Sequence, residues 1–176
     1  MAHEGQQISN PRTGQTMTFV ELRPEVLRID SVHPHGPDGE PLHAHPKQKS
    51  TAEVTVGSLV FEVDGQRREL TAGEKIEVPA DTLHRFWNES GEEARSIQVF
   101  EPALDIASFF ETLFALAQRD ELDDKGMPGT LQLAVMVPEF GDEIRPASPP
   151  RAVLRVLTTV LGPLARMRGY KGRISL

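Results

Sequence analysis

Two histidines two residues apart are the clearest chemical feature of this sequence. His43 and His45 lie in the segment LHAHPKQKSTAEV, which spans residues 42–54. On an extended segment, residues i and i+2 point to the same side, so both imidazoles face one point, as in half of a metal site. A carboxylate often follows in such sites, but the first acidic residue after this pair is Glu53. The segment therefore indicates a metal site with an unusual set of ligands.

A second histidine segment, GEKIEVPADTLHRFWN, spans residues 73–88. Its Gly73, Pro79, His84 and Asn88 have the spacing G-x5-P-x-G-x2-H-x3-N, which resembles the second motif of the cupin superfamily of small double-sheet β-barrels. Asp81 stands where the family usually has glycine. Aspartate adopts the turn conformation of that position moderately well, so the departure is compatible with the fold.

The first histidine segment resembles the other cupin motif, G-x5-H-x-H-x3/4-E-x6-G. His43, His45 and Gly57 are in register with it, and Ser50 stands at the position of its metal-binding glutamate. The resemblance implies a mainly β fold, a double-stranded β-helix or jelly-roll barrel. It also implies that His43, His45 and His84 bind one divalent transition-metal ion (Fe, Ni, Zn, Mn or Cu). The reaction is left open, because cupins host many activities.

Gln48 and Ser50 are the candidates to replace the missing carboxylate. They share strand parity with each other, and a bend at Pro46 would turn both towards the barrel interior. The amide oxygen of Gln48 can ligate a cation, whereas the shorter Ser50 side chain is better suited to holding a water molecule. Glu53 has the opposite parity and is expected on the outer, solvated face.

Further pocket candidates come from strand parity around the second motif. Phe86 and Asn88 share a face with His84, and Phe61 is a further candidate for an apolar pocket, although core filling is the ordinary role of such phenylalanines. Trp87 points the other way, and we expect it beneath the C-terminal helices.

His33 and His35 form another His-x-His pair, interrupted by Pro34. Their surroundings, SVHPHGPDG, are rich in turn-forming residues, so a loop at the barrel edge is expected.

Short strands between turn signals fill residues 16–101. Extended runs rich in β-branched and apolar residues alternate with Gly and Pro, and VDGQ at 63–66 carries the Asp-Gly signal of a tight hairpin. This pattern predicts a β-sandwich or barrel. We therefore divide the chain into a cupin barrel at 1–101 and a helical extension at 102–176, which packs on the barrel or on a partner subunit.

The extension has helical periodicity. Asp105 is a candidate N-cap of a first helix, and Ser148, followed by Pro149, is a candidate N-cap of the last one. Pro138 is expected to interrupt a short buried helix, and Pro163 to kink or split the last helix. The first helix has an apolar stripe, interpreted as a docking or dimer face, comprising Ile106, Phe109, Phe110, Leu113, Phe114 and Ala117.

The amino-acid composition disfavours some classes of binding partner and of chemistry. Among the 176 residues, 19 Lys and Arg stand against 26 Asp and Glu, and the net charge of -7 disfavours nucleic acid or an anionic membrane as a general partner. The basic end of the sequence, RMRGYKGRISL, is expected to be a solvated tail. There is no cysteine, which excludes disulfides and thiolate chemistry. The polar N-terminus does not resemble a signal peptide, so a cytoplasmic protein is expected.

Three functions fit the sequence. One is a metal-dependent enzyme, of dioxygenase type, that acts on a small organic molecule and is a homodimer; its catalytic residues are not evident, since no general base can be placed. Cupins with three histidines and no glutamate exist as working enzymes, such as the cysteine and acetylacetone dioxygenases. Another function is a small-molecule-binding module without catalysis, which the missing glutamate favours. The last is a vestigial barrel whose helices mediate assembly.

Overall fold

Two antiparallel sheets face each other in a computed structural model that describes residues 2–36 and 39–176. The six-stranded sheet has the order β1-β2-β3-β10-β5-β8 and the five-stranded sheet β11-β4-β9-β6-β7. The strands are β1 Gln7–Ser9, β2 Thr16–Arg23, β3 Val26–His33, β4 His43–Ala44, β5 Lys49–Val56, β6 Ser58–Val63, β7 Gln66–Thr71, β8 Lys75–Val78, β9 His84–Trp87, β10 Ala94–Glu101 and β11 Arg145–Pro146. This confirms the predicted jelly-roll barrel.

Local sequence accounts for the strands that carry the site. In β5, alternate residues are buried, including Ser50 and Val54, whereas Glu53 lies outside, where its carboxylate is 2.8 Å from the Lys75 ammonium. A turn at Pro46 separates β4 from β5, as predicted. The hairpin between β6 and β7 has positive φ at both Asp64 and Gly65, the requirement of a two-residue turn with this hand.

Three helices follow the barrel: α1 Ile106–Gln118, α2 Thr130–Phe140 and α3 Arg151–Met167. Pro138 and Pro163 lie inside α2 and α3, so the predicted interruption at Pro138 and the predicted split at Pro163 are wrong, and each helix continues with one backbone donor fewer. The predicted cap at Ser148 is also wrong, because α3 starts later, with Pro150 at the N-cap. Asp105 does occupy the N-cap of α1, but its side chain makes no capping bond and pairs with Arg173 instead.

Helix α1 closes the core of the six-stranded sheet. Its buried Ile106, Phe109 and Phe114 pack in one cluster with barrel residues that include Phe19 and Leu27. Burial of each large side chain contributes about 1.5–3 kcal/mol, so the helix is an integral part of this core. The stripe predicted for α1 thus covers the chain's own barrel.

Trp87 does not lie beneath the helices, and that expectation is wrong. Its indole N–H donates to the Glu89 carboxylate at 2.9 Å, and the guanidinium groups of Arg67 and Arg85 lie 5.6 and 5.3 Å from its ring centroid. Cations from its own sheet, rather than apolar helix residues, cover the side chain.

The basic end of the chain is mostly exposed, as its composition predicts, but it is docked near its last residues. Arg173 pairs with Asp105 and with Glu139, at 3.2 Å from the latter, and its guanidinium lies 5.2 Å from the Phe140 ring centroid. The backbone N–H of Ile174 donates to the Thr112 hydroxyl at 3.1 Å. These contacts hold the end of the chain against α1 and α2.

Helix α3 has an exposed apolar stripe that comprises Val153, Val156, Val160, Leu164 and Met167. The 3- and 4-residue spacing of these positions places them on one side of the helix. None of the helices in the described parts of the chain is long and apolar enough to cross a membrane.

Candidate metal centre

Strand pairing brings the three motif histidines together. His43 in β4 is directly opposite His84 in β9, and His45 immediately follows β4. Their ring centroids are 4.4 Å apart for His43 and His84, 5.0 Å for His43 and His45, and 5.1 Å for His45 and His84. One ring nitrogen of each lies within 4.8 Å of the others, and all three residues are buried.

Local backbone carbonyls orient two of the rings. Nδ1 of His43 donates to the Pro41 carbonyl at 2.8 Å, and Nδ1 of His84 donates to the Thr82 carbonyl at 2.9 Å. In both cases the acceptor is two residues upstream. A carbonyl can only accept, so Nδ1 carries the proton in each ring and the Nε2 lone pair is left free for a ligand.

The C-terminal extension orients the third ring. Nδ1 of His45 donates to the carbonyl of Glu143 at 2.7 Å, across 98 residues of sequence. Glu143 precedes β11, whose Arg145 and Pro146 pair with β4. A metal ligand in the barrel thus takes its tautomer from a backbone group outside the barrel sequence.

Burial keeps the histidines neutral. Desolvation lowers the pKa of His43 well below its usual value, with further lowering by the two neighbouring histidines. Desolvation also lowers the pKa of His45 to about 4, and it lowers the pKa of His84. Three neutral imidazoles with convergent free nitrogens form a donor set that fits a divalent transition-metal ion.

The three histidines open on a chamber of about 40 Å³. Ser50, Phe61 and Phe86 also line it, and the two phenylalanine rings stack with centroids 5.4 Å apart. Ser50 and both phenylalanines thus lie where strand parity predicts.

Asn88 lies outside this chamber. Its amide donates to the carbonyls of His33 and Glu92, at 2.8 and 2.6 Å, and its oxygen accepts from Ser90. With both ends of the amide engaged, Asn88 closes the loop after β9 and lines a neighbouring cavity of about 310 Å³, which shares Glu40 and Phe86 with the histidine chamber.

Gln48 is completely buried, and its amide nitrogen is committed. Nε2 donates to the carbonyls of Pro102 and Ala103, at 2.9 and 2.8 Å, and these acceptors fix the orientation of the amide. Among the described residues, the Gln48 Oε1 atom is one of two buried side-chain polar atoms that make no hydrogen bond. A buried oxygen without a donor is costly, so this atom is suited to accept from a water molecule or to ligate a cation.

Glu40 is a residue of the site that sequence reasoning missed. One of its carboxylate oxygens lies 3.9 Å from Nε2 of His43, and the side chain lines the histidine chamber. Burial raises the pKa of the Glu40 carboxyl to about 8, against an opposing hydrogen bond from the Phe86 backbone, although the side chain is 33% exposed. It lies in the loop before β4, where no strand parity exists to indicate it.

The other His-x-His pair is not part of this centre. His33 ends β3, contrary to the expected loop, and it is buried with Nε2 2.8 Å from the Ser96 hydroxyl. Burial lowers the pKa of His33 to about 4. His35 is exposed in the following loop and accepts from the Gly91 N–H at 3.2 Å.

Asp81, the departure from the second motif, anchors the extension beside the histidines. It has a φ of 57°, its N–H donates to the His45 carbonyl at 2.8 Å, and its carboxylate accepts from Arg145 at 2.6 Å and from Arg151 at 3.0 Å. The Arg145 hydrogen bond is the main cause of a lowered pKa at Asp81. Glycine at this position could not make these ion pairs.

Comparison with known families agrees with the fold and the motifs. The family model of the cupin domain matches residues 29–100. This chain carries a cupin domain. The cupin resemblance of the two histidine motifs is thereby confirmed, and both lie inside the matched range.

Two solved structures have the same cupin fold. KdgF from Halomonas sp. aligns with a TM-score of 0.51 and 20% identity over 56% of this chain and 90% of that chain. An RmlC-like cupin from Shewanella frigidimarina NCIMB 400 aligns with a TM-score of 0.50 and 24% identity over 56% of this chain and 86% of that chain.

The cupin sequence is also similar to part of a curated protein, epoxidase atD from Aspergillus terreus. They are 40% identical over 65 residues, which is 36% of this chain. The match spans 20% of the length of that epoxidase.

Proposed function

We propose that this cupin is a metal-dependent enzyme of dioxygenase type that acts on a small organic molecule. The observation that carries the proposal is the convergence of three free Nε2 atoms, from His43, His45 and His84, each on a ring whose Nδ1 donates to a backbone carbonyl. A divalent ion of Fe, Ni, Zn, Mn or Cu held there would supply Lewis acidity and, when redox-active, electron transfer to O2.

The substitution at position 50 removes the charged ligand of the family motif. A serine stands where the family motif has glutamate, so the three protein ligands are neutral. Gln48 is not among the residues that line the histidine chamber, so its orphaned oxygen supports a role as the partner of a buried water molecule beside the site rather than as a fourth ligand.

Glu40 supplies the general base that the sequence did not reveal. A carboxyl with a pKa of about 8 exchanges its proton near neutral pH, which suits removal of a proton from an enolisable or phenolic substrate. The Glu40 side chain lines the same chamber as the histidines, so a substrate there is within its reach.

A non-catalytic module that binds a small molecule is the alternative. The absence of the motif glutamate favours it, since Ser50 provides no charged ligand to retain the ion.

Two measurements separate these functions. Elemental analysis of the purified protein should find one transition-metal ion per chain, which His84→Ala loses and His35→Ala, at an exposed position, retains. Oxygen consumption should then be measured with β-diketones, flavonols and thiols. Turnover that Glu40→Gln abolishes supports the enzyme; metal binding with tight ligand binding and no turnover supports the module. A protein without metal, whose melting temperature is unchanged by added Zn, Ni or Fe, overturns the metal-dependent enzyme and leaves the module.

We also propose that the protein is a homodimer through the apolar stripe of α3. Val156 and Val160 are 62% and 63% exposed, an unfavourable arrangement for neighbouring apolar side chains in water. Sedimentation velocity should show a dimer that Val156→Glu with Val160→Glu dissociates and that Thr159→Glu, at an exposed polar position, leaves intact. A monomeric wild-type protein would contradict this assembly.

A further inference from the structure

A cavity of about 110 Å³ lies between α1 and α2, beside the histidine chamber. We call it the side pocket. Phe109 and Leu113 of α1 and Leu133, Met136 and Val137 of α2 line it. All five belong to the helical extension, beyond the range that the cupin family model matches. The extension therefore adds a pocket to the barrel.

Shared walls connect the side pocket to the metal centre. Glu40, His43 and Phe110 line both the side pocket and the histidine chamber. The Phe110 ring is 5.8 Å from Phe100, whose ring is in turn 5.1 Å from that of His45, between centroids. One small molecule can therefore occupy both spaces, with these residues at the junction.

The polar groups of the side pocket are concentrated at this junction. Glu40 and His43 are its titratable lining residues, and the other side chains in its wall are apolar. A polar or charged group deep in the side pocket would lose its hydration without finding a partner, whereas an apolar group would be favoured there. The walls thus select a molecule with one polar end and one apolar end.

We propose that the side pocket binds the apolar arm of the substrate, a single six-membered ring or a short branched alkyl group. This arm is joined directly to an oxygen-bearing head that lies in the histidine chamber. An apolar cavity of roughly 150 Å³ holds one benzene molecule, so a cavity of about 110 Å³ accepts an arm no larger than one ring. The proposal rests on the metal-dependent function given above and names its substrate class.

Two β-diketones that differ by one ring provide the test. Binding of acetylacetone and of 1-phenylbutane-1,3-dione to the Zn²⁺-loaded protein is measured by calorimetry. The phenyl compound should bind about 10- to 100-fold more tightly, as expected for burying one aromatic ring. Leu133→Trp fills the side pocket and should abolish this preference while Zn²⁺ and acetylacetone binding stay unchanged. Leu131→Trp, on the same helix outside the pocket, is the matched control.

A second filling variant and a metal-free measurement keep the test decisive. Val137→Phe, one turn along α2, should act like Leu133→Trp if the latter fails to fold. Toluene, which has no oxygen head, should bind metal-free wild-type protein and not the filled variants. Equal affinity for the two diketones, or a preference that both filled variants retain, overturns the side pocket. Loss of Zn²⁺ binding with toluene binding intact overturns the metal-dependent function and leaves the pocket standing.

Discussion

Metal affinity should depend weakly on pH, because burial already keeps the metal ligands deprotonated. A proton competes with a metal ion for Nε2 only when the pH approaches the pKa of that imidazole. The pKa of His45 is lowered to about 4, that of His43 is well below its usual value, and that of His84 is lowered as well. As pH falls from 7 to 5, His43 and His45 remain largely neutral, and His84 takes up a proton less readily than an exposed histidine does.

The expected change in affinity follows from these shifts. An exposed histidine with a pKa of about 6.5 loses about 30-fold in metal affinity at pH 5, so three of them lose about 30,000-fold. With a pKa of about 4, His45 loses almost nothing at pH 5, and His43, whose pKa is well below its usual value, loses little. Protonation of His84 is the remaining cause of lost metal affinity. Because the pKa of His84 is lowered, the total loss of affinity at pH 5 is less than about 30-fold.

Competition with a chromophoric chelator measures this affinity at pH 7, 6 and 5. Glu40→Gln is the correct background, because the Glu40 carboxyl, with a pKa of about 8, would release its own proton beside a bound cation. The same titrations on wild-type protein should then show a steeper dependence. A loss near 30,000-fold in the Glu40→Gln protein would refute the reasoning, since it would mean that the histidines titrate as exposed side chains do.

Further predictions concern His33, Ser50 and the helices. Neutral His33 is buried in the folded protein with a pKa of about 4, and it contributes stability above pH 6.5. This stability is lost as pH falls towards 4, because the histidine of the unfolded chain takes up a proton at higher pH than that of the folded protein. Chemical denaturation should show that the free energy of unfolding falls by about 2 kcal/mol less in His33→Gln than in the wild type between pH 7 and 5. The exposed variant His35→Gln should behave as the wild type does. Ser50→Glu should tighten metal binding about 10- to 100-fold over Ser50→Gln in chelator competition, and weaker retention would show that residue 50 does not reach the ion. Truncation after Pro102 should give an aggregating product, because the apolar core under α1 loses its cover; a soluble monomer with an unchanged melting temperature would contradict this.

The alternation of inward-facing and outward-facing side chains along each strand made the barrel and much of its site predictable. Strand parity placed Ser50 inside and Glu53 outside correctly, because side-chain direction in a strand depends only on neighbouring residues. The cupin motifs brought His43, His45 and His84 into one group for the same reason: each motif fixes one strand, and the fold pairs the strands.

The other features of the site depend on contacts between residues far apart in the sequence, and these could not be predicted. The carbonyl of Glu143 orients His45, but a backbone acceptor leaves no mark in side-chain type. Asp81 was visible as a departure from the motif, whereas its partner Arg145 lies 64 residues away. Strand parity correctly predicted that Trp87 points away from His84. It did not predict that arginines of the same sheet cover the Trp87 ring. The sequence likewise did not show that α2 continues through Pro138, because tertiary packing stabilises the helix there.

The bond between His45 and the Glu143 carbonyl sets an order of events during synthesis. Both histidine motifs leave the ribosome well before Glu143, so a nascent chain has all three imidazoles while one still lacks the acceptor that fixes its tautomer. Strand β11, which pairs with β4, follows just behind that acceptor. Metal capture at the candidate centre would therefore be a late step that requires the extension to be translated and docked, and a prematurely terminated barrel would carry the three histidines without the finished centre.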